Sequence, residues 1–441
     1  MNIDILKITL ASPGLIKPYP GNPRTHTSNQ VRQIADSIKR FGFTNPILVD
    51  DHGVILAGHG RLAAAQVLGL EQVPTIRLSR LSASERRAYV LADNKLAENA
   101  GWDLELLAIE LGALAELEFD LSLTGFSTAE IDIVLDGAAA ASNDHDDALD
   151  DVLQTGGPTV TRGGDLWLLG HHKLLCGNAL AADDLDRLMD GQTADLLFTD
   201  PPYNVPIEGH VCGLGKVHHR EFAMASGEMS SSEFTSFLEV ALKNASDRMR
   251  SGAIAYVCMD WRHMRELLDA GERAFSELKN LCVWNKMNGG MGAFYRSKHE
   301  LVFVFKKGTT PHVNNFGLGE NGRYRTNVWD YPGISSRGAA RDSELAMHPT
   351  VKPAALIADA LRDCSNRGDI ILDPFAGSGS TLVAAQSTGR RSRLAEIDPQ
   401  YCDTIIRRFT ALTSLEVVHG ETGETFEETE TSRFKEGVAA A

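Results

Sequence analysis

The stretch Asp369-Ile-Ile-Leu-Asp-Pro-Phe-Ala-Gly-Ser-Gly-Ser-Thr381 decides the fold of this chain, together with Asp195-Leu-Leu-Phe-Thr-Asp-Pro-Pro-Tyr203. Each is a short apolar run that stops at Asp-Pro. Such runs read as buried parallel strands that deliver polar residues at their C-terminal ends. Ligands of open α/β sheets bind at that edge. One strand end offers a carboxylate beside an aromatic ring, and the other a glycine loop that opens a helix. That pairing suits a nucleobase on one side and a nucleoside-bearing cofactor on the other.

Gly377 and Gly379 let a ligand approach the backbone, and the N–H groups of the following helix point at it. Glu396 follows Gly379 by 17 residues at the end of the next strand, close to the spacing at which an acid binds ribose hydroxyls. The loop lacks the lysine of a triphosphate-binding loop. In Asp200-Pro201-Pro202-Tyr203, two prolines remove two donors and leave carbonyl acceptors in set directions. The Asp200 carboxylate and the Pro201 carbonyl can each accept one N–H of an exocyclic amino group and turn its lone pair outward. Tyr203 can stack on a base that has left the duplex.

Outward from these strands, residues 161–420 alternate strands and helices, the pattern of a parallel sheet. Asp165–Gly170 with Lys173–Cys176 reads as a hairpin, Ala179–Leu188 and Ala354–Cys364 as helices, and Ile254–Cys258, Asn280–Trp284, Leu301–Phe305 and Arg393–Glu396 as strands. Residues 1–135 are a separate α+β unit. There Gln30–Phe41 has helical spacing, Pro46–Val49 and Val54–Ala57 form a strand pair, and Gly58-His59-Gly60-Arg61 opens another helix. Leu81–Glu98 and Leu104–Leu117 are further helices. Residues 136–160 read as an acidic linker and 421–441 as an acidic disordered tail.

The net charge of −16 would disfavour nucleic acid, but its distribution does not. Six aspartates lie from Asp136 to Asp151, and six glutamates face two basic residues from Glu421 to the end. Between Val283 and Lys352, ten Lys/Arg stand against five Asp/Glu, and phosphate binding depends on such local surface. The six cysteines form no CxxC pair, which points to small buried apolar residues in a reducing cytoplasm. No apolar run has the roughly 20 residues that cross a bilayer, and the N-terminus lacks signal-peptide features. The histidine pairs His171-His172 and His218-His219 read as surface or loop residues, and no metal is invoked.

Residues 161–412 resemble the amino-methyltransferases of DNA that use S-adenosylmethionine. The likeness rests on Thr199–Tyr203, Trp284-Asn285-Lys286, Arg296-Ser297-Lys298-His299-Glu300, His348-Pro349-Thr350-Val351-Lys352-Pro353, Asp373–Thr381 and Glu396-Ile397-Asp398-Pro399. The catalytic motif precedes the cofactor motif, the permuted order of the beta group. The resemblance implies a Rossmann-like methyltransferase fold, a mostly parallel sheet with helices on both faces. It implies Asp200, Pro201, Pro202 and Tyr203 as catalytic residues. It places Asp373, Phe375, Ala376, Gly377, Gly379, Thr381, Glu396, Asn178 and Lys352 around S-adenosylmethionine. Asn178 stands where the family often has aspartate. Target recognition falls within 205–230 and 306–345, with Arg323, Arg325, Lys286 and Arg296 as DNA contacts.

The first 120 or so residues are similar to the ParB/sulfiredoxin-like domain of partition proteins, through Asn22-Pro23-Arg24, Gly42–Ile47, Gly58–Arg61 and Ala92-Asp93-Asn94-Lys95. Relatives that bind nucleotides carry Gly-Glu-Arg-Arg where this chain has Gly-His-Gly-Arg. A module for DNA or protein contact without chemistry is therefore the expectation. The whole reads as a site-specific methyltransferase acting on adenine N6 of double-stranded DNA by base flipping, because the family's cytosine enzymes more often have serine at position 200. Alternatives are a cytosine-N4 enzyme, or a partition protein whose methyltransferase half is inactive. The absence of a Pro-Cys pair argues against methylation of cytosine carbon. A homodimer, a partner restriction enzyme and a nucleoid-associated location are further expectations.

Overall fold

The computed structural model describes residues 6–117, 119–141, 159–205, 224–225, 227–286, 295–317, 323–332 and 352–439. The chain divides into two compact units, Met1–Ser142 and Asn143–Ala441.

In the first unit, strands β1 (Ile8–Ala11), β2 (Ile47–Val49), β3 (Ile55–Ala57) and β4 (Val73–Arg77) form a sheet of order β1-β4-β2-β3. Helix α1 (Ser28–Phe41) starts where the Thr27 hydroxyl accepts from Gln30 N. It stops at Gly42, whose φ of +84° suits only glycine. Helices α2 (His59–Val67) and α3 (Ala83–Glu98) follow, the latter opened by a Ser82/Glu85 capping box. Ile16, Ile47, Ile55, Leu62 and Val73 make the core between sheet and helices. Helices α4 (Leu104–Glu116) and α5 (Thr128–Ala141) enclose a smaller core of Leu107, Leu111, Leu121 and Ile131. The sequence did not reveal α5, and it carries this unit past the expected boundary at 135. The remainder of the expected linker, 142–158, lies outside the described residues.

The second unit is built on ten strands: β5 (Leu166–Leu169), β6 (His172–Cys176), β7 (Ala194–Thr199), β8 (Met249–Met259), β9 (Glu277–Asn285), β10 (His299–Lys306), β11 (Val328–Asp330), β12 (Ile370–Asp373), β13 (Arg391–Glu396) and β14 (Val417–His419). Their order is β11-β9-β10-β8-β7-β12-β13-β6-β5-β14. The five central strands, β8-β7-β12-β13-β6, run parallel; β10 and β5 run against them at the flanks, and β14 pairs antiparallel with β5. Helices α6 (Ala182–Met189), α7 (Ser231–Asp247), α8 (Met264–Ala274), α9 (Ala354–Cys364), α10 (Ser380–Ser387) and α11 (Pro399–Thr413) follow the strands. Separate apolar clusters pack on the sheet: Leu197, Phe234, Leu238 and Phe305 in one, and Leu196, Phe198, Leu356 and Leu361 in another. Successive side chains of β7, Leu196 and Leu197, thus enter opposite layers, the signature of a sheet covered on both faces. This is the Rossmann-like arrangement expected.

The chain leaves β7 through α7 toward β8 and leaves β12 through α10 toward β13. The strand order therefore reverses between β7 and β12. That crevice is the topological switch point, where doubly wound sheets bind ligands.

Two expectations need correction. Residues 426–439 are not a disordered tail but helix α12 (Phe426–Ala439). Phe426 packs edge-on against the buried Trp167, and Arg433 pairs with Asp165 and donates to the Val160 carbonyl. His172 is not a surface residue: it is buried, with ring nitrogens bonded to Ser392 Oγ (2.9 Å) and Gln386 Oε1 (2.8 Å). Burial pushes its pKa down to about 4. His218-His219 lies outside the described residues. The five described cysteines are free and buried. No described helix is long and apolar enough to cross a membrane.

Candidate active site

Strands β7 and β12 pair in parallel, so Thr199 and Asp373 end side by side. The Thr199 hydroxyl donates to Asp373 Oδ1 at 2.9 Å, which ties the two strand ends together. Thr381 Oγ1 donates to Asp373 Oδ2 (2.6 Å), and Phe375 N donates to Oδ1 (3.1 Å). Burial pushes Asp373 up to about 6, against the pull of these bonds. Asp373 and Thr381 therefore hold the glycine loop in shape, with the Asp373 oxygens already occupied by chain donors.

Gly377 and Gly379 take left-handed φ of +53° and +85°. A Cβ on Gly379 would stand 3.0 Å from Ile405 Cγ1, so both backbone and space demand glycine. Gly377 N donates to Glu396 Oε2 (2.8 Å) and Asp398 N to Oε1 (2.9 Å), which fixes a buried carboxylate at the end of β13. Burial pushes Glu396 up to about 7, with the two backbone bonds opposing it. Asn178 lies beyond the end of β6, and the neighbouring Gly177 N donates to the Glu396 carbonyl (3.0 Å). Asn178 N donates to Asp184 Oδ2, and its Oδ1 accepts from Leu180 N. Phe375 is half-buried against Phe237, and Ala376 N donates to the Ala395 carbonyl. The Ser380 hydroxyl, in the first turn of α10, is buried with no hydrogen-bond partner among the described residues. A buried carboxylate, close-approach glycines and an unpartnered hydroxyl fit a nucleoside-bearing cofactor.

The structure thus brings Asn178, Phe375, Ala376, Gly377, Gly379 and Glu396 together. The described contacts of Lys352, expected at the cofactor, are instead with the Asp200 group. Its side chain is 4% exposed, and its ammonium lies 2.5 Å from Asp200 Oδ2 and 3.0 Å from Glu300 Oε2. It also donates to Tyr203 Oη (3.2 Å). The Tyr203 hydroxyl donates to Asp200 Oδ1 at 2.6 Å, and Lys286 pairs with Glu300 Oε1. Burial and the Glu300 charge push Asp200 up, against Lys352. Glu300, buried between two ammonium groups, is held down to about 2 by Lys352 and Lys286, and Lys352 is raised by Asp200 and Glu300. The Tyr203 phenol is pushed far above its ordinary value by burial and by Asp200. The four residues Asp200, Lys352, Glu300 and Lys286 make a chain of alternating charge, buried at Lys352 and partly open to solvent at Lys286. Sequence reasoning used Glu300 only as part of a motif; its spacing carried no sign of this contact. His348–Val351 lie outside the described residues.

The basic residues expected at DNA differ in setting. Arg323 and Arg325 do not face open solvent. Both are mostly buried against α9, where Arg323 reaches Asp363 Oδ1 (2.9 Å) and Arg325 reaches Asp363 Oδ2 (2.8 Å) and Asp359 Oδ2 (3.3 Å). Their charge is already compensated. Lys286 is held by Glu300, with its ammonium 4.6 Å above the Trp284 ring. Arg296 is exposed. Of the expected recognition stretches, 206–223, 226, 318–322 and 333–345 lie outside the described residues.

In the first unit, Arg24, His59, Arg61 and Asn94 line one cleft of about 170 Å³, so the motifs that carried the resemblance meet in space. Arg24 donates to the Asn94 carbonyl (3.1 Å), and Tyr19 N donates to His59 Nε2 (3.2 Å). Among the described residues no group of three His, Cys, Asp or Glu side chains could hold a metal ion.

Comparison with known proteins agrees with both units. A family model described as DNA methylase, of the N6/N4 type, matches residues 194–407. A ParB N-terminal domain matches residues 5–95, and a ParB-methyltransferase helix-turn-helix domain matches 105–163. The ParB-like nuclease domain-containing protein YnaK of Escherichia coli (strain K12) is 46% identical over 82 residues, 19% of this chain and 94% of that one. The DNA adenine methyltransferase YhdJ of the same organism is 26% identical over 260 residues, 53% of this chain and 81% of that one. Among solved structures, the PvuII DNA methyltransferase (cytosine-N4-specific) aligns with a TM-score of 0.42 and 15% identity, covering 63% of this chain and 94% of that one. The chain carries an N6/N4 DNA methylase domain, preceded by a ParB-type N-terminal domain and a ParB-methyltransferase helix-turn-helix domain.

Proposed function

We propose that the chain is a site-specific methyltransferase acting on the N6 amino group of adenine in double-stranded DNA. The observation that carries this reading is the pairing of β7 with β12 at the switch point, which sets the Asp200 carboxylate beside the glycine loop. S-adenosylmethionine, when bound, supplies an electrophilic methyl group on a sulfonium. The chain's own residues do the rest.

Glu396 would accept the ribose hydroxyls, and Gly377 and Gly379 admit the methionine part close to the backbone. On the other side, the Asp200 carboxylate and the Pro201 carbonyl accept the two N–H bonds of the target amino group. An aniline-like nitrogen is a poor nucleophile while its lone pair is delocalised, and two fixed acceptors favour the pyramidal form. As the nitrogen gains its new bond it becomes cationic and must release a proton. Asp200, its proton affinity raised by burial, is the acceptor at hand. Base extrusion supplies access, and Tyr203 offers the flanking ring.

Aspartate at position 200 favours adenine over cytosine, and the relative YhdJ is named an adenine enzyme. The ParB-type unit, with its helix-turn-helix match, would hold DNA without chemistry of its own. The test is expression in a host lacking its own DNA methylation, followed by modified-base sequencing. N6-methyladenine at a fixed motif is expected. N4-methylcytosine would overturn the base assignment, and unmodified DNA the activity.

A further inference from the structure

The proposed reaction leaves Glu300 and Lys286 unused, yet both are built into the catalytic end. Glu300 opens β10 opposite Trp284 in register, two strands away from Asp200 in the sheet. Its carboxylate reaches Lys352 at 3.0 Å, and Lys286, pinned over the Trp284 ring, occupies its other oxygen. Lys352 has three N–H donors, and here each has a partner: Asp200, Glu300 and the Tyr203 oxygen.

Resting on the methyltransferase reading above, we propose that Glu300 is a positioning residue that shares the Lys352 ammonium and so keeps Asp200 open to the target amino group. A carboxylate offers about four acceptor positions. Tyr203 takes one on Oδ1 and Lys352 one on Oδ2, which leaves room for an incoming N–H. Were Lys352 paired with Asp200 alone, its full charge would rest on the group that must accept the amino hydrogen and later the proton. Both tasks would weaken, because an undivided buried pair competes with the substrate's weaker donor. Glu300 draws part of that charge away, and Lys286 keeps Glu300 ionised while it does so.

The groups facing Asp200 are Lys352, Glu300 and Tyr203, with Cys258 from β8 and Asp373 from β12. The Cys258 thiol is pushed well above its ordinary value by burial and stays neutral, and Asp373 is common to every variant below. Removing the negative charge of Glu300 should therefore lower the proton affinity of Asp200. Removing the positive charge of Lys352 should raise it.

The experiment is a pH profile of single-turnover methylation by the full chain, with a duplex oligonucleotide that the wild type modifies. In E300Q the acidic limb should move down by about one pH unit while the plateau falls about tenfold. In K352Q the limb should move up by about one unit. A shape-only role for Glu300 lowers the plateau and leaves the limb in place, and that result overturns the proposal. So do shifts of the same sign in both variants. Carbon-13 NMR of aspartate-labelled, ligand-free protein, with Asp200 assigned from D200N, reads the same titration without turnover. A wild type that methylates nothing but shows the opposed NMR shifts would sink the enzymatic reading and leave only the charge coupling of Asp200, Lys352 and Glu300, whereas an active wild type without those shifts overturns this inference alone.

Discussion

Replacing Glu396 by glutamine should make the ligand-free protein more stable at neutral pH while damaging the cofactor pocket. The Glu396 side chain is buried, and burial moves its carboxyl from 4.5 to about 7. At 1.36 kcal/mol per unit, ionised Glu396 costs the fold roughly 3 kcal/mol above pH 7. The folded state binds the proton more tightly than the unfolded one between these two values. Stability therefore falls as pH rises from 4.5 through about 7, and levels off above. Glutamine removes that charge, but its NH2 meets one of the two backbone N–H groups, Gly377 or Asp398, that now share the carboxylate. One unsatisfied donor costs about 1–2 kcal/mol. The variant should thus be about 1–2 kcal/mol more stable than wild type above pH 7 and about 1–2 kcal/mol less stable near pH 4.5. Thermal melts should show the difference in Tm, about 2 °C per kcal/mol for a unit of this size, changing sign between these limits. Losing a charged acceptor should weaken S-adenosylmethionine by about 10- to 100-fold in calorimetry. A Tm difference that ignores pH refutes the buried-charge argument. Unchanged affinity refutes the ribose assignment.

Two further outcomes separate roles that the structure places side by side. Asp200→Ala should lower turnover at least about 100-fold while S-adenosylmethionine affinity stays within about threefold of wild type, because Asp200 is not among the groups around Glu396 and Gly377; calorimetry beside single-turnover rates shows whether binding and chemistry separate in this way. Arg325→Ala should destabilise the second unit by about 2–4 kcal/mol, since Asp363, whose side chain is 4% exposed, loses one of the two guanidinium groups it pairs with among the described residues. Its DNA affinity should keep the wild-type salt dependence, and a salt slope lower by about one would return Arg325 to the DNA interface.

The parallel core was legible because buried strands announce themselves as apolar runs closed by Asp-Pro or glycine. β7 and β12 each end where that pattern stops. What stayed hidden depends on tertiary partners. Helix α12 carries a glutamate-rich face and few apolar residues, so composition alone argued for disorder. It folds because Phe426 reaches Trp167 and Arg433 reaches Asp165, contacts 259 and 268 residues back along the chain. Arg323 and Arg325 fall in the stretch that the resemblance assigns to target recognition, and nothing local in the sequence shows that Asp359 and Asp363 pair with them. Those two sit four apart on α9, on one helix face, yet nothing local says what that face meets. Lys352 belonged to a motif assigned to the cofactor, and only the folded chain shows its ammonium on Asp200.

The permuted order of the motifs has a simple structural meaning. Catalytic and cofactor loops belong to β7 and β12, neighbours in the sheet but far apart in the chain, and each strand sends its helix to the opposite side. What the site requires is their parallel pairing and the Thr199–Asp373 bond at its end, not which strand is made first. The same geometry explains how a chain of net charge −16 can serve an anionic polymer. At the Asp200 end two lysines pair with the two carboxylates Asp200 and Glu300, so those four groups cancel one another's charge whatever the rest of the chain carries. Such an internally paired cluster neither repels the phosphate backbone nor fully neutralises Asp200. On the proposed reading it would leave affinity to other surfaces and keep the carboxylate for the target amino group.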